Sequence, residues 1–140
     1  MPASSNVHEG GCLCGATRFR VSGAPLALSR CHCRSCRLAT GAPAAAWAIF
    51  DCGDFELLQG AKQLGRFRSS PAVTRTFCAV CGTSISYEAD DAPSQIEITS
   101  ATFDEPNRFP PSREVWLEHR LSWEPVDPAL KHHARGSEGR

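Results

Sequence analysis

The sequence predicts an all-β, sheet-based fold of one domain with metal knuckles at its edge, and three observations carry that expectation. Apolar and polar residues alternate over several short runs, turn formers recur between them, and a helical segment is indicated only once, after Cys33. Cysteine usage adds the metal knuckles: of the 8 cysteines, seven fall in close C-x-C and C-x-x-C spacings that bite one metal well. At 140 residues the chain is long enough to bury about two-thirds of the surface its unfolded form would expose.

The chain divides into a flexible start over 1–9, a zinc-binding domain over 10–128 and a disordered polar tail over 129–140. Within the domain, Gly10-Gly11-Cys12-Leu13-Cys14-Gly15 is a thiol hook among glycines. An extended backbone would turn Cys12 and Cys14 to one side and Leu13 toward the core. Ala16 to Val21 alternates as a half-exposed strand and stops at Ser22-Gly23-Ala24-Pro25. Leu26 to Ser29 leads into Cys31-His32-Cys33-Arg34-Ser35-Cys36, after which Ser35 to Thr40 forms one or two helical turns closed by Gly41.

Ala44 to Phe50 is apolar throughout and reads as a buried strand centred on Trp47. Asp51 to Asp54 is a turn, Phe55 to Gly60 a strand, and Leu64 to Arg68 another, broken by Ser69-Ser70-Pro71. Val73 to Phe77 runs directly into the knuckle Cys78-Ala79-Val80-Cys81-Gly82. Thr83 to Glu88 and Gln95 to Thr99 alternate cleanly about the polar loop 89–94. The prolines of 104–111 make a loop, and Val115 to His119 is a last strand.

Lys plus Arg and Asp plus Glu are both 15, so the formal charge is zero and the overall balance gives no sign of a nucleic-acid or membrane partner. The first residues lack a basic segment followed by an apolar one, and the chain reads as cytoplasmic. In a reducing compartment clustered cysteines serve as metal ligands or reactive thiols, whereas a disulfide framework would scatter them.

Cys12, Cys14, Cys78 and Cys81 offer four thiolates, a full tetrahedral set for a structural zinc. The pattern points to metal more firmly than to this pairing. Cys31, Cys33 and Cys36 offer only three, so a second zinc held there keeps one position open, for which a sulfur ligand is the natural occupant. Three alternatives stand beside this. His32 or Cys52 would complete the second set and make it structural; His119 is either a buried, hydrogen-bonded residue or part of the open site; and Arg30, Arg34 and Arg37 either screen the thiolates or form a solvated face. Trp47, Trp116 and Trp123 read as core.

The order Gly11-Cys12-x-Cys14-Gly15, Cys31-His32-Cys33-x-x-Cys36-Arg37 and Phe77-Cys78-x-x-Cys81-Gly82-Thr83 resembles the glutathione-dependent formaldehyde-activating enzyme family, also called centromere-protein-V-like. Arg18-Phe19, Gly41, Ser69-Ser70 and the stretch from His119 to Trp123 extend the resemblance over roughly residues 10 to 125. It implies a β-tent of packed antiparallel sheets, a structural zinc on Cys12, Cys14, Cys78 and Cys81, and a second zinc on Cys31, Cys33 and Cys36. It further implies carbon–sulfur lyase chemistry on a glutathione–formaldehyde adduct or a related small thiol adduct. A non-enzymatic zinc module with a binding or chaperone-like role is the rival reading.

Overall fold

The computed structural model describes residues 6–136; the expected flexibility of 1–5 and 137–140 concerns positions outside the described residues. Among these described residues eleven strands and one α-helix follow in the order β1 (Val7–Gly11), β2 (Arg18–Ser22), β3 (Ala27–Cys31), α1 (Arg34–Thr40), β4 (Ala45–Asp51), β5 (Phe55–Gln59), β6 (Leu64–Ser70), β7 (Val73–Cys78), β8 (Ser84–Ala89), β9 (Gln95–Thr99), β10 (Arg113–Val115) and β11 (Lys131–His132). They form a small sheet, β1-β2-β5, and a large one, β11-β10-β3-β4-β9-β8-β7-β6. Pairing is antiparallel except at β10, which runs parallel to both β3 and β11.

β4 has no polar alternation because it lies between β3 and β9 and is covered on both faces. Ala48 and Phe50 point into the main core with Phe19, Val21, Ile85, Ile96, Ile98, Phe103 and Phe109. Ala45 and Trp47 point the other way, into a second apolar cluster with Cys31, Cys36 and Val115. The large sheet thus separates the main core, which includes Cys12 and Cys78, from a second side that carries Cys31 and Cys36. Its outer strand β6 is shielded from further pairing by the exposed Arg66 and Arg68.

The alternating runs emerge as β2, β5 to β9, and the apolar run as β4. Several local expectations need correction. Val7 to Glu9 is no flexible start: it pairs with Val21 to Ser22 and Arg20 in β1, since the backbone of β2 would otherwise leave one edge unsatisfied. Nor is the whole tail free, because Lys131–His132 pairs with Arg113–Glu114 and the N–H groups of Trp116, Leu117 and Glu118 donate to the carbonyls of Arg135, His133 and Ala134. Leu26 to Ser29 carries too few alternations to announce β3, which is fixed instead by its pairing with β4. The strand expected over Val115 to His119 is instead β10, which begins at Arg113 and ends at Val115, after which Leu117–His119 is a 3-10 turn. Trp123 lies on the surface, 69% exposed, and not in the core.

Candidate functional site: two thiol clusters and a cavity

The first cluster joins two glycine-closed turns. After Cys12 the chain turns back with Gly15 N–H donating to the Cys12 carbonyl, and after Cys78 Gly82 N–H does the same to Cys78; both glycines hold positive φ, +81° and +85°, a conformation that a side chain would strain. The hook is therefore a turn and not an extended segment, which is why Leu13 faces solvent, 88% exposed, and not the core. Leu13 N–H instead donates to Thr83 Oγ1 and ties the two turns together.

The sulfurs of Cys12, Cys14, Cys78 and Cys81 all lie within 4.8 Å of one another. Cys12 to Cys14 is 3.6 Å and Cys14 to Cys78 is 3.8 Å. Four sulfurs at a zinc–sulfur distance of about 2.3 Å stand about 3.8 Å apart on a tetrahedron, so these edges fit that ion. Backbone donors converge on the sulfurs, Thr17 N–H on Cys12 at 3.2 Å among them. Burial pushes the Cys12 thiol up, as does Cys81, yet the Thr17 N–H and the Cys14 and Cys78 thiols outweigh them and the net shift is downward. The Thr83 hydroxyl and N–H, with the Cys14 N–H, bring Cys81 down to about 5. Ala16 N–H pulls on Cys14, but burial and the three neighbouring thiols carry it up to about 11.

The second cluster forms where β3 ends and α1 begins. Cys33 caps the helix, its sulfur accepting the Cys36 N–H at 3.3 Å, and Gly41 closes the other end in the left-handed region at φ +73°. Cys31, Cys33 and Cys36 bring their sulfurs within 4.8 Å of one another, and among the described residues no fourth His, Cys, Asp or Glu joins them. Three thiols so close cannot all carry charge unaided. Donation from the Cys31 and Cys36 thiols holds Cys33 at about 2, and the same sharing raises Cys31 far above the ordinary thiol range. Cys36 ends at about 11, lowered by Cys31 but raised by Cys33 and burial. A divalent ion would take the place of the shared protons.

Neither suggested fourth ligand is present in this group. His32 is fully buried and its Nε2 lies 2.6 Å from Glu114 Oε1; Glu114, also fully buried, accepts Asp127 N–H and Arg30 Nη1 as well. Cys52 is exposed, its sulfur donating to the Pro93 carbonyl at 3.5 Å. Arg30 likewise turns away from the thiols, onto Glu114 and Glu124. This buried ionic group holds β3, β10 and the segment near Pro125 together just behind the three cysteines.

The guanidinium that does meet the sulfurs is Arg75, from β7. Its Nη1 and Nη2 lie 3.6 and 3.7 Å from Cys36 Sγ, Nε donates to Ser69 Oγ at 2.9 Å, and the carbon of the fork stands 4.9 Å from the centre of the Tyr87 ring. Sequence reading missed it, although an arginine on the same face of a strand as Val73 and Phe77 was the available signal.

Beside the three thiols opens a cavity of about 380 Å³, lined by Cys31, Cys33, Cys36, Trp47, Arg34, Arg75, Tyr87 and Arg113 among others. Trp116 and His119 stand at its wall with ring centroids 5.1 Å apart, so His119 belongs to the cavity and not to the interior. Trp116 holds φ +59°, a strained value for a bulky residue, fixed by its N–H to Arg135 and its carbonyl to His119 N–H.

The protein is thus a mainly β one with a four-thiol cluster and, beside a cavity, a three-thiol cluster. The chain belongs to the glutathione-dependent formaldehyde-activating enzyme family, whose sequence model matches residues 7–119. It is 28% identical over 127 residues to a Halomonas elongata protein that provisionally bears the family's enzyme name, covering 85% of this chain and 80% of that one. A Schizosaccharomyces pombe protein named an uncharacterized lyase is 32% identical over 78 residues; the match spans 56% of this chain and only 55% of that relative. A Rhodobacter sphaeroides protein of known crystal structure shares the fold with a TM-score of 0.59 at 21% identity, over 89% of this chain and 98% of that one.

Proposed function

We propose that this protein is a zinc-dependent carbon–sulfur lyase that makes or breaks the bond between a small thiol, glutathione or a close relative, and formaldehyde. The observation that carries the proposal is the incomplete thiol set of Cys31, Cys33 and Cys36, opening on a cavity large enough for such a ligand. Cys12, Cys14, Cys78 and Cys81 would hold a second, structural zinc, a fit supported by their sulfur spacing and N–H donors. Cys31, Cys33 and Cys36 would hold the other zinc, which would lower the pKa of an incoming thiol.

The remaining work falls to side chains of the cavity. Arg34 and Arg113 line it and suit the carboxylates of a peptide-like thiol; Arg113 is held by its Nε donating to Ser29 Oγ at 2.6 Å. In the joining direction a sulfur–carbon bond forms, the carbonyl π bond breaks, and the proton lost by the thiol ends on the former carbonyl oxygen. His119 Nε2 is the group we assign to carry that proton, because imidazole both accepts and returns one. Trp116 and Trp47 reduce water access at the reacting carbon.

The test is isotope exchange between free formaldehyde and its glutathione adduct, followed by NMR with and without the protein. Acceleration supports the proposal, and an unchanged rate removes this substrate. Metal analysis of the same sample should return two zinc ions per chain, one for each cluster.

A further inference from the structure

Arg75 is a charged side chain only 8% exposed, and among the described residues it makes no ion pair with a carboxylate. A guanidinium so placed is costly unless negative charge stands opposite. What stands opposite is Cys36 Sγ, reached by both ends of the fork, while Ser69 and the Tyr87 ring fix the remaining donor and the flat face. The side chain is thus locked on three sides, with its fork at the wall of the cavity.

We infer that Arg75 is the positioning residue that sets the charge of the three-thiol site, holding Cys36 in place and allowing the open position to take an anionic sulfur. The inference rests on the metal reading given above and extends it. Three thiolates around a divalent ion leave about one net negative charge, which opposes a second anion. The Arg75 guanidinium offsets that charge from a water-poor position where it is screened little. Its N–H groups also draw electron density from the Cys36 sulfur, weakening it as a donor and favouring a stronger bond to the incoming ligand.

Arg75→Gln keeps donors near Cys36 but removes the charge; Arg75→Lys keeps the charge but loses the fork. Each is loaded with cobalt(II) and titrated with 2-mercaptoethanol, following the sulfur-to-cobalt absorption. Loss of the charge-assisted contact should weaken thiol binding roughly tenfold or more in R75Q, with R75K recovering most of that loss. Wild-type affinity in R75Q overturns the inference, and so does an R75K as weak as R75Q, since the charge would then be irrelevant. Ser69→Ala, which frees Nε without touching the charge, should weaken binding by about threefold. If neither arginine variant folds, an unaltered affinity in S69A overturns the inference. A wild-type protein that shows no thiol-dependent cobalt signal sinks the metal reading itself, an outcome separate from all of these.

Discussion

The two cysteine clusters are built from one device, a short turn that aims backbone N–H groups at sulfur, and they differ in what faces each of them. Opposite Cys12 and Cys14 stands a second turn of the same kind, so the sulfurs are shared between Cys14 and a residue 64 positions away and the set is complete. Opposite Cys31, Cys33 and Cys36 stand an arginine, a cavity and a buried ionic group. The first arrangement closes a long loop and has nothing to spare; the second closes only a six-residue stretch and leaves a face open. Under the proposed function, stability is therefore concentrated at the first, and ligand chemistry at the second.

The widest separation between them is expected from Cys78→Ser. Cys78 is fully buried at the end of β7 and supplies the far half of the long loop. Losing that closure costs about 4 kcal/mol, enough to lower the melting temperature by roughly 10 °C. Thermal unfolding followed by circular dichroism measures it. A loss of similar size from a cysteine of the second cluster would erase the distinction.

Next in size is Glu114→Gln, which probes what holds the second cluster where no long loop does. The Glu114 carboxylate accepts from His32, Arg30 and the Asp127 N–H while fully buried, and breaking such a group costs about 3 kcal/mol. Burial alone would raise this carboxyl, yet the Asp127 N–H, His32 and Arg30 bring it below 4.5. A group whose folded value is depressed stabilises above its unfolded value and loses that contribution as pH falls through the folded one. The urea midpoints of wild type and E114Q should therefore draw together as pH falls below 4.5 through the folded value. A constant gap from neutral to acid would show that the charge is not what binds the group.

Much of this contrast is legible in the chain itself, because the spacing of cysteines is local and the alternation of β7, β8 and β9 is regular. What escapes is whatever depends on two distant segments meeting. Arg75 touches Cys36 only because the fold brings β7 beside α1, whereas Arg30, nearer in sequence, turns to Glu114 and Glu124. β3 has little pattern of its own and is imposed by β4 and β10, and Lys131–His132 is ordered by the short β10 that it completes. His119 reaches the cavity through the turn after the strained Trp116, a conformation that no periodicity announces. Leu13 went astray for the opposite reason: a tight turn interrupted the alternation on which its inward placement rested.

Cys33→Ser tests the second cluster directly. The residue is half-buried and closes no long loop, so the expected loss of stability is about 1 kcal/mol, from its helix-capping contact with the Cys36 N–H. Metal content should fall from two ions per chain to one while the four-thiol set stays filled. Emission spectrometry on dialysed protein checks it. Loss of both ions would mean that the two clusters do not bind metal independently.

The smallest effect tests whether the ordinary surface beside the four-thiol turns adds to their hold. Arg18 follows Thr17, the donor to Cys12, and grips Asp104 with both ends of its fork at 3.0 and 2.6 Å. The Arg18 contact lowers the Asp104 carboxyl below 3.8, so its contribution is present above that value and vanishes as pH drops through the folded one. The Asp104 side chain is 51% exposed, and solvent screening limits the pair to less than about 1 kcal/mol. Asp104→Asn should accordingly lose only a degree or two of melting temperature at pH 7, less in high salt, and progressively less as pH falls below 3.8 through the folded value. A penalty comparable to that of Cys78→Ser would place the fastening of β2 in the ion pair and not in the sulfurs.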